Sequence, residues 1–258
     1  MKIFSLLYYN LCMRFVLNRI FKNIPILNSF YKAFLNYIDK KYYDKNCKNY
    51  RIIPLGLYCM PRIITTLNRL KPSKKYGEKT CPFDLAFFRD ADYNIKLIDT
   101  HFKSLFDDIF FYKEINAWTN NEGTIVFMHE AGLSLEELKA KYKKRIDNFY
   151  EYLNDKTRKI FFLIANQTPI TNEQIEKLNT VINKYRDKKD YSIIVINQSK
   201  EKLQKTSENI YILDYTQDSL FEEFNKQGNW VLELKKQKLK SAKEFYKKLT
   251  NQLEEIIT

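Results

Sequence analysis

Residues 158–165 read RKIFFLIA, a run that is apolar at consecutive positions and does not alternate with polar ones. Two similar runs follow, SIIVIN at 192–197 and NIYILDY at 209–215, and amphipathic patterns at 171–186 and 199–206 separate the three. Strands that are apolar throughout belong to parallel sheets that are covered on both faces, with helices as the connections. This stretch therefore predicts the order β-α-β-α-β in a parallel sheet.

The residues before this unit extend the pattern. Ile52–Leu57 is an apolar run with the character of a strand, and Pro61 suits the first turn of a helix that follows it, because no N–H is needed there. The spacing of apolar residues predicts a further helix over 92–113. We predict an α/β fold, a Rossmann-like three-layer sandwich with a mostly parallel sheet and an N-terminal helical extension.

A turn, a strand and a helix are predicted between 120 and 154. NNEG at 120–123 has the composition of a turn, and TIVFMHEAG at 124–132 is a β-branched run predicted as a strand. Ser134 and Glu137 have the spacing of a capping box, which opens a long charged helix.

Basic residues are concentrated at the two ends of the chain. The net charge is +13, and residues 1–48 contain 9 Lys or Arg against 2 acids, while residues 235–258 contain 7 against 3. The remaining residues are nearly neutral, with 28 against 26. We predict a helical extension and linker at 1–48, an α/β domain at 49–234 and a basic helix at 235–258.

The N-terminal segment has two open interpretations. Residues 2–22 have a broad apolar face and a basic stripe, with a second amphipathic pattern at 28–38 and a polar linker at 39–49. Asn and Arg interrupt the first pattern too often for a bilayer span, and a signal-peptide cleavage site is absent. Residues 1–38 either lie on an anionic membrane surface or pack on protein. The expected location is the cytoplasm, with peripheral attachment to the inner face of the membrane in the first case.

Several classes of function lack their motifs. The cysteines, Cys12, Cys47, Cys59 and Cys81, have no C-x-x-C spacing, which predicts reduced thiols without a disulfide framework or a zinc site. LGLYC at 55–59 contains one glycine and so lacks the phosphate-cradling and dinucleotide-binding patterns. Neither a zinc finger nor an RNA-binding motif is visible. We expect no metal, no cofactor and no nucleic-acid partner.

Cys59 and His129 are the candidate catalytic residues. Cys59 stands where a predicted strand meets a predicted helix, and the positive helix end and exposed N–H groups there lower a thiol pKa. The alternative is a small buried residue that fills the junction. His129 is the only plausible base, since His101 lies in a polar stretch and is expected at the surface.

The other candidates surround this pair. Ligands of open parallel sheets bind beyond the carboxyl ends of the strands. In this sequence, polar residues stand at or just after the ends of the predicted strands and short apolar segments. Any of Asp84, Asn166 or Asp214 could hold the second ring nitrogen of His129, and Asn197 joins the same edge. Glu130 is either an acid/base group or a solvated neighbour, and we favour the latter. The remaining binding residues belong to the turn around Cys59, whose N–H groups would stabilise an oxyanion: Gly56, Leu57, Tyr58 and Met60.

The motifs PLGLYCMPRIITTLNRL, CPFDLAFF, IVFMHEAG and KYKKRIDNFYEYL followed by KIFFL occur in this order. Together they resemble a bacterial family labelled papain-like cysteine peptidases, whose genes recur near surface-polysaccharide genes. The resemblance covers roughly residues 51–165. It implies Cys59 as nucleophile, His129 as base and Asp84 as the group that orients it. The chain departs from the family at Leu85, where an aromatic residue is common, and at Asn166, where a basic residue is frequent.

The resemblance also implies a helical lobe with an antiparallel barrel. The alternation of predicted strands and helices at 158–215 predicts a parallel sheet instead, and we prefer this prediction.

Three functional hypotheses follow. The first is a thiol-dependent hydrolase or group transferase acting on a small-molecule, glycan or peptide substrate. The second is a membrane-associated transferase of surface-polysaccharide assembly, in which Cys59 is structural and the polar strand ends bind the donor. The third is a non-catalytic protein whose basic ends bind a partner.

Overall fold

The structure is a computed structural model that describes residues 25–55, 60–67, 69–166, 170–197, 202–215 and 240–257. The chain divides into two compact units, Met1–Asn46 and Cys47–Thr258. In chain order the described helices and strands are α1 (Pro25–Asn46), β1 (Tyr50–Pro54), α2 (Met60–Leu67), β2 (Phe87–Phe88), α3 (Ala91–Asp99), β3 (Phe110–Tyr112), β4 (Ala117–Thr119), β5 (Ile125–Phe127), α4 (Leu135–Asn154), β6 (Lys159–Asn166), α5 (Asn172–Asn183), β7 (Tyr191–Asn197), β8 (Ile210–Asp214) and α6 (Lys240–Ile257).

The described part of the first unit is the single helix α1. The predicted linker is wrong for residues 39–46, which continue the helix. That run contains neither Gly nor Pro, so nothing in it ends a helix. The helix predicted over 2–22 lies outside the described residues. Among the helices that the structure describes, none is both long and apolar enough to cross a bilayer.

A four-stranded parallel sheet forms the centre of the second unit and confirms the α/β class. Its strand order is β1-β6-β7-β8, with every pair parallel. β1 is an edge strand, which explains why Pro54 is accepted in it although proline cannot donate a ladder hydrogen bond.

Helices cover both faces of this sheet. Alternate residues of β6 point to opposite sides: Ile160, Phe162 and Ile164 pack in one apolar cluster, and Phe161, Leu163 and Ala165 in the other. The first cluster includes the inner faces of α3, α4 and α5, and the second includes residues of α2 and α6. Burial on both faces is the reason that these strands are apolar at every position.

A second, antiparallel sheet has the order β2-β5-β4-β3. The run predicted as a strand at 124–132 belongs to this sheet, and only Ile125–Phe127 is extended. The turn at 120–123 explains the pairing. Gly123 has φ +65° and its N–H donates to Asn120 O at 3.0 Å, and a connection this short joins antiparallel strands only.

Two predicted helices are shorter or absent. The helix predicted over 92–113 ends at Asp99, because His101 and Phe102 take positive φ values of 57° and 58°. β3 then begins at Phe110. Residues 202–206 of the helix predicted at 199–206 are not helical.

The loop at 71–80 is anchored by buried charges. The Lys71 ammonium donates to Ile52 O at 2.5 Å and pairs with Glu78 Oε1 at 2.9 Å. Arg51 Nη1 lies 3.1 Å from Glu78 Oε2, and its guanidinium lies 4.0 Å from the centre of the Tyr152 ring. These pairs tie the loop to β1 and α4, and so position the segment that contains Asp84.

Candidate active site

The flanks of Cys59 have the predicted strand and helix. β1 ends at Pro54 and α2 begins at Met60, with Pro61 in the first turn. Gly56, Leu57, Tyr58 and Cys59 lie outside the described residues, and Met60 is described only as the first residue of α2. Their roles as nucleophile and oxyanion donors therefore stay predictions.

Three predicted binding residues lie side by side at the carboxyl edge of the parallel sheet. Asn166 at the end of β6 is paired in register with Asn197 of β7, which is paired with Asp214 of β8. Asn197 is buried and Asp214 is exposed, while the Asn166 side chain is outside the description. Their predicted placement at one edge is confirmed. Their roles in binding stay predictions.

His129 does not follow a strand of the parallel sheet, so the prediction that the edge of one sheet gathers the whole site is wrong for this residue. His129 lies in a 3-10 helix, Met128–Glu130, which directly follows β5 of the antiparallel sheet. Its side chain is exposed and makes no hydrogen bond or ion pair with any residue that the structure describes. His129 follows the antiparallel sheet because the tight turn before β5 pairs that strand with β4.

Asp84 lies in a second 3-10 helix, Pro82–Asp84, and is fully buried. Its Oδ2 accepts from Arg62 Nη1 at 3.0 Å and from the Cys81 N–H at 2.8 Å. The bond from Asp84 to His129 that the sequence suggested is not formed between these described residues. Asp84 instead holds Arg62, a residue of α2, and so fixes the helix that begins after Cys59.

Glu130 is buried, and the prediction that it is solvated is wrong. Its Oε1 accepts from Arg145 Nη2 at 2.9 Å and lies 3.2 Å from the Lys141 ammonium. Both cations come from α4. The adjacent 3-10 turn, including His129, is therefore pinned to α4 by an ion pair that is largely shielded from water.

Tyr142 lies beside the Arg145 end of this ion pair. Its ring centre lies 4.5 Å from that of Phe127 and 4.5 Å from the Arg145 guanidinium carbon. Burial raises the pKa of the Tyr142 hydroxyl well above its ordinary value, and the charges of Glu130 and Asp84 raise it further, against Arg145. Both ion pairs are therefore within electrostatic reach of one buried hydroxyl. We call the following set the polar cluster: Arg62, Asp84, Glu130, Lys141, Tyr142 and Arg145.

Unpaired acceptors distinguish the polar cluster from an ordinary structural ion pair. Within the described part of the chain, Asp84 Oδ1 and Glu130 Oε2 are buried and have no hydrogen-bond partner. Leaving such an acceptor unpaired is costly, so each is available to a ligand, a water molecule or a rearranged side chain.

Sequence reasoning did not single out the cations of the polar cluster. One signal was present, since Arg145 follows Leu138 and Tyr142 at the helical spacing of the inner face of α4. A charged residue at an inward position needs a buried partner. Arg62 gives no comparable signal, because its partner lies in a segment that is distant in sequence.

The two described cysteines lack the surroundings that a nucleophilic thiol requires. Cys47 and Cys81 are buried free thiols. Burial raises the pKa of both, and the charge of Asp84 adds to the effect at Cys81. Neither has the properties of a nucleophile.

One cavity among the described residues is too small for a substrate. A cavity of about 20 Å³ lies among mainly apolar residues that include Leu55, Phe83 and Asn94. It would hold about one water molecule, so it is not a substrate pocket as it stands. No group of three or more metal-binding side chains occurs among the described residues.

Comparison of the chain with protein-family models, curated proteins and solved structures gives no match. The resemblance to papain-like cysteine peptidases therefore rests on the sequence motifs alone.

Proposed function

We propose that the protein is a thiol-dependent hydrolase or group transferase, with Cys59 as the nucleophile and His129 as its base. The polar cluster carries the proposal, because it anchors the helix that begins after Cys59 and the 3-10 helix that contains His129. Arg62 follows Cys59 by three residues in the sequence and is held by Asp84. Glu130 directly follows His129 and is held by Arg145.

The exposure of His129 supports its proposed role. Its backbone is fixed by the buried neighbour Glu130, while its imidazole is solvent-accessible and makes no bond with the described side chains. A general base needs this combination of a fixed backbone and a ring that can reach the nucleophile and the substrate.

The charge of the polar cluster also favours an anionic substrate. Lys141 and Arg145 supply two positive charges against one from Glu130, whereas Arg62 and Asp84 balance each other. The excess of positive charge belongs to α4, beside the 3-10 helix that contains His129, where it would attract a negatively charged group of the substrate.

The proposed reaction has two half-reactions. His129 takes the proton of Cys59, and the thiolate attacks an acyl carbon to form a thioester while His129 returns the proton to the leaving group. Water or an acceptor hydroxyl then attacks the thioester, loses its proton to His129 and restores the thiol. Backbone N–H groups of the turn at 57–60 would stabilise the oxyanion, an effect of about 3–4 kcal/mol per donor.

The parallel sheet would contribute binding residues. A Rossmann-like three-layer arrangement is supported by the parallel strand order and by helices on both faces. In such sheets the substrate lies beyond the carboxyl ends of the strands, where Asn166, Asn197 and Asp214 are aligned. A small-molecule, glycan or peptide substrate fits this donor and acceptor set.

The test is the pH dependence of iodoacetamide alkylation at Cys59, read by mass spectrometry in the wild type and in His129→Ala. We expect an apparent pKa well below the ordinary thiol value of ~8.5, rising when His129 is removed. Cys47 and Cys81 are internal controls in the same sample, since their burial predicts slow alkylation in the folded protein. A Cys59 thiol with an ordinary pKa that is indifferent to His129 would refute the proposal.

A second candidate is a transferase of surface-polysaccharide assembly in which Cys59 is structural. The observation in its favour is the row of polar residues Asn166, Asn197 and Asp214 at the edge of the sheet. A chain with Cys59→Ala that keeps activity, and a chain with Asn197→Ala that loses it, would favour this candidate over the first.

A further inference from the structure

We propose that α1 docks the protein on an anionic membrane surface through one exposed face, formed by Phe30, Phe34 and Tyr37. This interaction is separate from the proposed thiol chemistry and does not depend on it.

The face is an uninterrupted aromatic stripe. Phe30, Phe34 and Tyr37 are spaced four and three residues apart, so their side chains lie in one row along the helix. They are 72%, 59% and 55% exposed, whereas Tyr31 and Tyr43 of the same helix are buried. Three large aromatic side chains in water at helical spacing are unfavourable unless a surface covers them.

Lysines continue the same row. Lys41 and Lys45 follow Tyr37 at intervals of four residues, and both are exposed. The Lys41 ammonium lies 4.7 Å from the centre of the Tyr37 ring. Residues 1–48 as a whole contain 9 Lys or Arg against 2 acids. The covering surface must therefore accept aromatic rings beside positive charges.

An anionic bilayer surface meets this requirement. Phe and Tyr rings enter the boundary between head groups and acyl chains, and lysines contact the lipid phosphates. Since α1 is not apolar enough to span the bilayer, it would lie along the surface. A second copy of the chain fits less well, because a symmetric contact would bring two segments of the same strong positive charge together.

The full-length protein is sedimented with vesicles of phosphatidylcholine alone and with vesicles of equal phosphatidylcholine and phosphatidylglycerol. We expect binding to the anionic vesicles that weakens with added salt, and little binding to the neutral ones. The change F30S/F34S should lower the partition coefficient at least about tenfold. K41Q/K45Q should lower binding to anionic vesicles only.

The matched control is F110S/Y112S, which removes two exposed aromatic side chains from β3 of the second unit. It should bind as the wild type does, and equal losses in F30S/F34S and F110S/Y112S would overturn the proposal.

If F30S/F34S loses helical circular dichroism, the change Tyr37→Trp tests instead whether this face contacts the membrane. Its added fluorescence should shift to the blue on anionic vesicles, while that of Lys32→Trp should not. Self-association that F30S/F34S abolishes, without vesicle binding, would assign the face to a second copy and overturn membrane docking.

Discussion

Glu130 and Asp84 are buried carboxylates, and each is held by an arginine from another element. Burial of a charge is costly, and the attraction within the pair offsets this cost only while both partners are present. Arg145 and Lys141 should therefore contribute differently to the free energy of unfolding, although both contact the same oxygen of Glu130. The Arg145 side chain is 6% exposed and that of Lys141 is 42% exposed.

Arg145→Met should lower the free energy of unfolding by about 3 kcal/mol, because it leaves the Glu130 charge buried with only a solvent-exposed partner. Lys141→Met should cost less than about 1 kcal/mol, since water screens that pair. Urea unfolding of the two variants measures the difference. The double change R145M/E130Q should recover most of the loss, and equal costs for the two single changes would contradict this assignment.

The turn between β4 and β5 determines that His129 follows a strand of the antiparallel sheet. Asn120 Oδ1 accepts from the Ile125 N–H at 3.1 Å, and Asn120 Nδ2 donates to Thr124 Oγ1 at 2.7 Å. Gly123 has a positive φ of 65°, in the region that glycine tolerates without cost. This turn and the pairing of β5 with both β2 and β4 place the 3-10 helix Met128–Glu130 against α4.

Gly123→Ala should lower the free energy of unfolding by about 1 kcal/mol, because a Cβ disfavours the left-handed conformation. The matched control is Gly132→Ala, at a glycine without positive φ and with open space around its Cβ position. It should change stability by less than about 0.5 kcal/mol. Thermal or urea unfolding compares the two. A Gly123→Ala variant as stable as the control would mean that the turn has another conformation in solution.

Buried tyrosines connect the stability of the whole second unit to alkaline pH. Burial raises the pKa of Tyr142, Tyr150, Tyr152 and Tyr191, in the last case to about 12. Tyrosines of an unfolded chain have a pKa of about 10, so above that pH the folded state binds more protons than the unfolded state. Their contribution to stability is therefore complete below that pH and is lost as the pH rises towards the folded pKa values.

We expect the free energy of unfolding to fall steeply above about pH 10. Tyrosinate absorbance should appear as the protein unfolds, because the buried tyrosines then become exposed and ionise. Tyr191→Phe should make this slope shallower. It should also cost about 1 kcal/mol at neutral pH, because the hydroxyl that donates to Asn179 is removed, although Asn179 Oδ1 keeps its donor Asn209 Nδ2. The control Tyr37→Phe, at an exposed position of α1, should leave the slope unchanged. A Tyr191→Phe slope equal to that of the wild type would contradict the prediction.

The elements that could be predicted are those whose causes are local. The apolar runs at 158–165, 192–197 and 209–215 are strands of one parallel sheet, and the capping box at Ser134 and Glu137 opens α4. The turn at 120–123 was also recognisable from its composition. In each case the deciding residues are adjacent in sequence, because burial on both faces, capping and turn geometry are read over a few positions.

Boundaries that depend on unusual backbone conformations were not predictable. The helix from Ala91 stops at Asp99 because His101 and Phe102 have positive φ, a conformation that is uncommon for both residue types, although histidine adopts it more often than phenylalanine. Stacking of His101 on Tyr150, with ring centres 4.6 Å apart, accompanies this bend and involves a residue from a distant helix. The apolar periodicity of 92–113 contained no sign of it.

By itself, the sequence determined the α/β class, the parallel direction of the apolar strands and the placement of Asn166, Asn197 and Asp214 at one edge of their sheet. These follow from continuous hydrophobicity, because a strand buried on both faces requires it and parallel strands end at one edge. Only the tertiary structure decided the sheet to which β5 belongs and the burial of Glu130 and Asp84 between arginines of α4 and α2. Strand pairing and ion pairing join residues far apart in sequence, so the local pattern around either residue could not predict them.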